Sequence, residues 1–264
     1  MMTENYLELN HVSKVFQRRT GDIVKGLEDI TLSVKQGEII AIIGTNGAGK
    51  STLFNALTGH IEPDEGSILL NNTDITKIPQ IKRASIVARV FQNPSMGTAP
   101  RMSVFENLML ASKRGKKRGL SLSLNADNKA EMAEYISQFN LDLEKRLDLP
   151  IEYLSGGQRQ IISLVMATIQ KPQLLLLDEH TSALDPRTAK QVMEMTHKMV
   201  TENNLTTLMI THHMQDAIKY GDRIVVLHQG KIANVYSKEE IANLEIGHLH
   251  ELMEKLVEME ANAS

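Results

Sequence analysis

The run "EIIAIIGTNGAGKSTLFNALTG", residues 38–59, limits the possible folds of this chain more tightly than any other stretch. Its first half is a short continuous apolar run, the pattern of a strand buried on both faces. Glycines at 44, 47 and 49 then impose a tight bend. From Lys50 the apolar positions change to a helical period, with Leu53, Ala56 and Leu57 on one side and Gly59 as the stop. A buried strand that passes through a glycine bend straight into a helix belongs to a parallel α/β sheet. The bend itself turns backbone N–H groups toward a ligand, and the lysine makes that ligand negative.

Gly44, Thr45, Asn46, Gly47, Ala48, Gly49, Lys50 and Ser51 fit G-x-x-x-x-G-K-[ST], the phosphate-binding P-loop. Lys50 supplies a point charge for the β- and γ-phosphates, the Ser51 hydroxyl is a ligand for Mg²⁺, and Thr52 extends the nucleotide-contacting set. The loop alone leaves kinases, GTPases and transport ATPases open.

Bulk properties narrow the field. At 264 residues and 42% hydrophobic, the chain can bury a large core, in one domain or in a domain with an inserted subdomain. Its 29 Lys and Arg against 32 Asp and Glu argue against a basic nucleic-acid-binding surface. The absence of Cys excludes disulfides and thiolate metal sites, and the His residues show no H-x-x-x-H spacing. No metal is therefore expected beyond nucleotide-bound Mg²⁺. The 14 Met sit among core-patterned positions and read as packing. The N-terminus lacks the pattern of a signal peptide, and no apolar run approaches the roughly 20 residues of a membrane span. Any membrane crossing falls to another chain.

Along the sequence, "YLELNHVSKVF" and "DITLSVKQGEI" alternate as strands, and "GSILLNN" reads as another. Residues 93–170 change to helical periodicity, as in "VFENLMLA" and "NKAEMAEYISQF", around a polar basic loop. "PQLLLLDE", "LTTLMITH" and "DRIVVLHQGKI" restore buried strands. The expected organisation is a core of residues 1–92 and 171–237, a helical subdomain of 93–170, and a C-terminal helix within 238–264. Leu249, Leu252, Met253 and Leu256 share one face of that helix. Packing on its own core is favoured for that face over a dimer contact.

"LSGGQRQ", Leu154–Gln160, distinguishes among the P-loop classes. Ser155 and Gln158 have capping-box spacing, and two glycines in a first turn leave N–H donors open as a second anion site. The stretch resembles, letter for letter, the LSGGQ signature of the ATP-binding cassette family. That resemblance implies an α/β fold: a P-loop NTPase (RecA-like) core with an N-terminal antiparallel β subdomain and an inserted α-helical subdomain. It also implies that two copies pack head to tail as a homodimer. The P-loop of one copy then faces Ser155, Gly156, Gly157 and Gln158 of the other across ATP.

Further motifs follow in family order. "LLLLDE" resembles the Walker B strand, which implies that Asp178 holds Mg²⁺ through water and Glu179 polarises the attacking water. "SALD" resembles the D-loop ending at Asp185, and "ITHHM" the switch region, which selects His212 over His213. Gln92 in "VFQNP" stands where the family has its Q-loop glutamine, at nucleotide and Mg²⁺. Phe16 stands at the adenine-stacking aromatic, with a buried strand Phe as the alternative. The family usually has Pro after the catalytic Glu; here His180 stands there, either altering the base or filling space, and the second is favoured.

The resemblance covers about residues 5–240 and is greatest to ATPase subunits of bacterial tryptophan/tyrosine import systems. It implies a peripheral protein on the cytoplasmic face of the cell membrane, docked on a permease and working indirectly with a solute-binding lipoprotein. No nucleic-acid partner is expected. An export ATPase is the alternative, and a soluble non-transport cassette lacks support because neither a second cassette nor a coiled-coil insertion is present. The basic run Lys113–Arg118 reads as a solvated loop, with a lipid or permease contact as the alternative.

Overall fold

The computed structural model describes residues 5–17, 21–115, 124–139 and 141–263; residues 116–118 of the basic run lie outside them. The chain divides into two compact units, Met1–Arg83 with Asn204–Ser264, and Ala84–Asn203. The first unit opens with β1 (Leu7–Gln17), β2 (Ile23–Val34), β3 (Ile39–Gly44), α1 (Lys50–Thr58), β4 (Glu65–Leu70), β5 (Thr73–Asp74) and α2 (Gln80–Arg83). The second holds β6 (Val87–Val90), α3 (Val104–Ser112), α4 (Ala126–Ser137), α5 (Gly156–Thr168), β7 (Leu174–Asp178) and α6 (Pro186–Glu202). The chain then returns to the first unit through β8 (Thr207–Ile210), α7 (Met214–Tyr220), β9 (Arg223–His228), β10 (Lys231–Tyr236), α8 (Lys238–Ile241) and α9 (Ile246–Ala263).

The alternating N-terminal runs form an antiparallel sheet in the order β2-β1-β4-β5. Leu7 and Leu9 pair with Val34 and Leu32, and all four are buried. The pairing shifts register between Leu9 and Val12, where His11 takes a positive φ of 52°. The extra residue keeps Val12 on the core face, opposite Ile30.

β3 is buried along its whole length and lies between β9 and β8, parallel to both, with β10 antiparallel outside β9. A side chain such as Ile40 or Ile42, fully buried here, contributes about 1.5–3 kcal/mol. The helix that follows, α1, ends at Gly59 with φ 73°. Arg83, 1% exposed, closes over that end. Its guanidinium donates to the carbonyls of Ala56 (2.6 Å) and Leu57 (3.0 Å) and to those of Thr76 and Ile78 (both 2.7 Å). A cation at a helix C-terminus satisfies carbonyls that have no partner within the helix.

In the second unit β6 and β7 are parallel, with Val90 opposite Leu177. Between them the described residues form α3, α4, α5, short 3-10 turns and one isolated bridge, Ser103 to Pro150. Ser103 with Glu106 and Ser155 with Gln158 form capping boxes at the starts of α3 and α5. The C-terminal region of the first unit is two helices, the short α8 and the long α9. Leu249 of α9 is fully buried and α9 packs on α7. Among the described residues no helix is long and apolar enough to cross a membrane.

Candidate functional site

Within the first unit, β3 delivers Gly44 to the bend. A Cβ on Gly44 would lie 2.3 Å from the Leu227 carbonyl oxygen of β9, so no side chain fits. Gly49 has φ 99°, and a Cβ there would lie 2.4 Å from the Gly26 carbonyl oxygen. Gly49 is also the N-cap of α1, and no side chain caps it. The helix thus begins with N–H donors that a side chain has not claimed. Lys50, 8% exposed, donates from Nζ to the carbonyl oxygens of Gly44 (2.7 Å) and Thr45 (2.9 Å), so the ammonium is held on the loop. The Ala48 N–H closes the turn onto the Thr45 carbonyl at 3.2 Å.

His212 follows β8. Ile42 of β3 stands opposite Ile210, and the Thr211 N–H donates to the Ile42 carbonyl at 3.2 Å. His212 therefore leaves the sheet at the same edge as Gly44. The adjacent His213 serves as N-cap of α7, its N–H donating to Thr211 Oγ1 at 3.0 Å. Phe16 lies on β1 with 38% of its surface exposed. Its ring covers Gly26, where a Cβ would meet the ring at 2.5 Å and Thr52 Cγ2 at 3.1 Å. The aromatic is thus beside the first turn of α1 and is not a buried strand residue.

In the second unit, the parallel register brings Gln92 and Asp178 to the same ends of neighbouring strands. Gln160 of α5, buried, donates from Nε2 to the Phe91 carbonyl at 3.0 Å and so fixes the residue before Gln92. Arg89 of β6 donates to Asp178 Oδ2, with 14% and 17% of the two side chains exposed. Arg89 also lies 4.9 Å from the centre of the Phe91 ring. Glu179 takes φ 48°, a costly backbone for a non-glycine residue. Its carbonyl accepts from the Ser182 N–H (3.0 Å) and hydroxyl (2.8 Å), which hold the turn.

At the start of α5, Ser155 Oγ accepts from the Gln158 N–H at 3.3 Å, and Gln158 Oε1 accepts from the Ser155 N–H at 3.2 Å. Ser155 is exposed. A Cβ on Gly157 would lie 2.3 Å from Thr188 Cγ2, and one on Gly156 3.4 Å from Leu184. The glycines let this helix start press against α6. Asp185 caps α6, Oδ1 accepting from the Thr188 N–H at 3.1 Å. Hydrogen bonding from Thr188, side chain before backbone, holds the Asp185 carboxyl below its ordinary value.

His180 is 2% exposed and burial lowers its imidazole to about 4. The Thr196 hydroxyl donates to the Val192 carbonyl at 2.8 Å, so it accepts from His180 Nε2–H at 3.0 Å. His180 is accordingly neutral near pH 7 and fills space between Glu179 and α6. The folded value lies below the ordinary value of 6.5, so the unfolded chain takes up a proton first as pH falls. Stability is intact above about pH 6.5 and declines toward pH 4. Urea unfolding should show wild type losing about 2 kcal/mol more than His180→Gln between pH 7 and pH 5. Parallel losses in the two proteins would contradict a buried neutral imidazole.

The first unit therefore carries Phe16, residues 44–52 and His212, and the second carries Gln92, Ser155–Gln158, Asp178, Glu179 and Asp185. Arg89 and Gln160, which contact Asp178 and the Phe91 carbonyl, are marked by no motif. The sequence cue to Arg89 is the lone charge within "VARV", and Gln160 has none beyond its place one turn after the glycines.

Comparison with known proteins shows what the chain is similar to. Residues 27–182 match the protein-family model described as ABC transporter. The chain is 44% identical over 253 residues to a tyrosine transport ATP-binding protein of Clostridioides difficile, covering 95% of this chain and 100% of that protein. It is 35% identical over 240 residues to the phosphonates import ATP-binding protein PhnC of Lactococcus lactis subsp. cremoris, covering 89% and 94%. Among solved structures, the dimeric post-hydrolysis state of the ATP-binding cassette MJ0796 bound to ADP and Pi has a TM-score of 0.74 at 26% identity, covering 88% of this chain and 98% of that one. CbiO1 from Clostridium perfringens, part of the ABC transporter complex cbiONQ, has a TM-score of 0.75 at 26% identity, covering 95% and 100%.

Proposed function

The chain belongs to the ABC transporter family as an ATP-binding, ATP-hydrolysing subunit with the P-loop NTPase fold, and on that premise we propose that it drives uptake of an aromatic amino acid. In this reading two copies close on ATP while docked on a separate permease at the cytoplasmic face of the membrane. A solute-binding lipoprotein hands the amino acid to the permease. The import reading is supported by the names of the relatives, and the amino acid by the tyrosine transport protein that matches the chain over 95% of its length.

The observation that carries the two-copy site is a pair of helix starts, each built to receive an anion. One is at Gly49, where no side chain caps α1. The other is at Ser155, exposed and followed by two glycines. In this reading the triphosphate lies on the first, with Lys50 turning from its loop carbonyls to the phosphates and Phe16 stacking on the base. The second caps the γ-phosphate from the partner copy. Glu179 takes a proton from the attacking water, and His212 holds the developing charge.

Mg²⁺ suits the residues present. Asp178 is already held by a cation, the Arg89 guanidinium, which stands in for a metal charge. Among the described residues no group of three or more His, Asp or Glu could hold a metal alone, so the ion would arrive on the nucleotide. Ser51, Gln92 and Asp178 would hold it. Bound there, it would neutralise charge on the β- and γ-phosphate oxygens.

Purification of this chain with the membrane partners that it retains, followed by reconstitution into vesicles, tests the transport reading. Labelled tyrosine or tryptophan should accumulate only with ATP on the side of this chain. Accumulation of a different solute would overturn the substrate, and ATP-driven efflux would overturn the direction.

A further inference from the structure

A groove of about 350 Å³ lies beside the phosphate bend, lined by Thr45 and by His250, Met253, Glu254, Val257 and Glu258 of α9. Met253 and Val257 give it an apolar floor, and Val257 is 50% exposed. Glu254 and Glu258 stand one helical turn apart and give it an acidic rim. Among the described residues neither glutamate is held in an ion pair.

We propose that this groove receives the first turn of α6 from a second copy of the chain, adding a contact with α9 to the ATP-closed dimer. The inference rests on the head-to-tail dimer proposed above. Gly156 and Gly157 press against Leu184 and Thr188, so the start of α6 lies within a side chain's width of the signature glycines. Whatever meets Ser155 across a nucleotide must also meet that neighbour. On the opposing side the nucleotide rests on residues 44–51, and the element beside them is the α9 groove.

Chemistry matches as well as position. The segment from Ala183 to Lys190 presents exposed Ala183 and half-buried Leu184, then exposed Arg187 and Lys190 three residues apart. Apolar Leu184 suits Met253 and Val257, and the two cations suit Glu254 and Glu258. Asp185, the acid within this segment, is engaged in capping α6. Two-fold symmetry repeats the contact, so one dimer contains it twice. Exposed ion pairs are individually weak, but reversing their sign replaces attraction by repulsion at every repeat.

The test uses full-length Glu179→Gln protein, whose ATP-bound dimer should persist, and reads the dimer dissociation constant by analytical ultracentrifugation at saturating ATP and Mg²⁺. Glu254→Lys with Glu258→Lys should weaken dimerisation by about 10-fold or more. Arg187→Glu with Lys190→Glu should do the same, and all four changes together should restore the parent value. The direction is diagnostic. Positive charge beside a phosphate site tightens ATP on electrostatics alone, so a weaker dimer with undiminished ATP binding reports the docking. Unchanged dimerisation in the glutamate variant, or no restoration in the fourfold variant, overturns the proposal while the dimer stands. A Glu179→Gln parent that stays monomeric overturns both. Matching circular dichroism spectra for all variants exclude misfolding as the cause.

Discussion

Glu179→Gln should lower steady-state ATP turnover by about 10²–10³-fold, within the range that a positioned general base contributes, while ATP affinity changes little. The expectation comes from how the residue is held. Its backbone is held in place: φ is 48° and the carbonyl is pinned by both donors of Ser182. Gln has the same length and leaves those backbone bonds intact, so the turn survives and the loss reports the carboxylate. Neighbouring His180 is a poor substitute base, because it is shielded from solvent and burial lowers its imidazole to about 4. Phosphate release under ATP saturation measures the loss, and a fluorescent nucleotide titration measures affinity. A variant that hydrolyses ATP at more than a tenth of the wild-type rate would remove Glu179 from the proposed role.

The second large effect comes from disabling either helix start. Lys50→Ala removes the ammonium that now bridges the Gly44 and Thr45 carbonyls and should cost about 10²–10³-fold in turnover, as for loss of a single preorganised charge-stabilising group. Ser155→Asp is the sharper change at the other start. Asp is as good an N-cap as Ser, so the α5 capping bond to Gln158 and the fold survive. The new carboxylate, however, would face the γ-phosphate: two unit charges 4 Å apart at an effective dielectric near 20 repel by about 4 kcal/mol. Turnover should fall at least about 10²-fold while the melting temperature holds. Full activity in Ser155→Asp would show that no phosphate approaches this turn.

Much of this was legible in the chain because glycine has few other reasons to recur. Gly44 and Gly49 sit where a Cβ would collide with the Leu227 and Gly26 carbonyls, so their spacing reports backbone packing directly. The strand before them and the helix after them follow from period alone. Ser155 and Gln158 form the capping box that their separation implies. Other features depend on neighbours distant in sequence. That His180 is neutral follows from its burial against α6, where Thr196, sixteen residues on, accepts its Nε2–H. That Phe16 lies over Gly26 beside Thr52 follows from strand register, which no local pattern encodes. The tail read as one helix is two, because Ser237 with Glu240 caps a short first helix and residues 242–245 separate it from α9. Arg83 was invisible for the same reason: its four carbonyl partners come from α1 and the loop before α2.

Mixing two inactive proteins tests most directly whether a single ATP is held by two copies. Lys50→Ala retains a sound signature turn and Ser155→Asp a sound phosphate loop. A dimer of one with the other therefore contains one complete site and one doubly damaged site. Random pairing makes half the dimers mixed, so the mixture should recover roughly a quarter of the wild-type turnover. Turnover that stays at the level of the separate variants, in a mixture shown by tagged pull-down to contain mixed dimers, would mean that each chain holds its nucleotide alone.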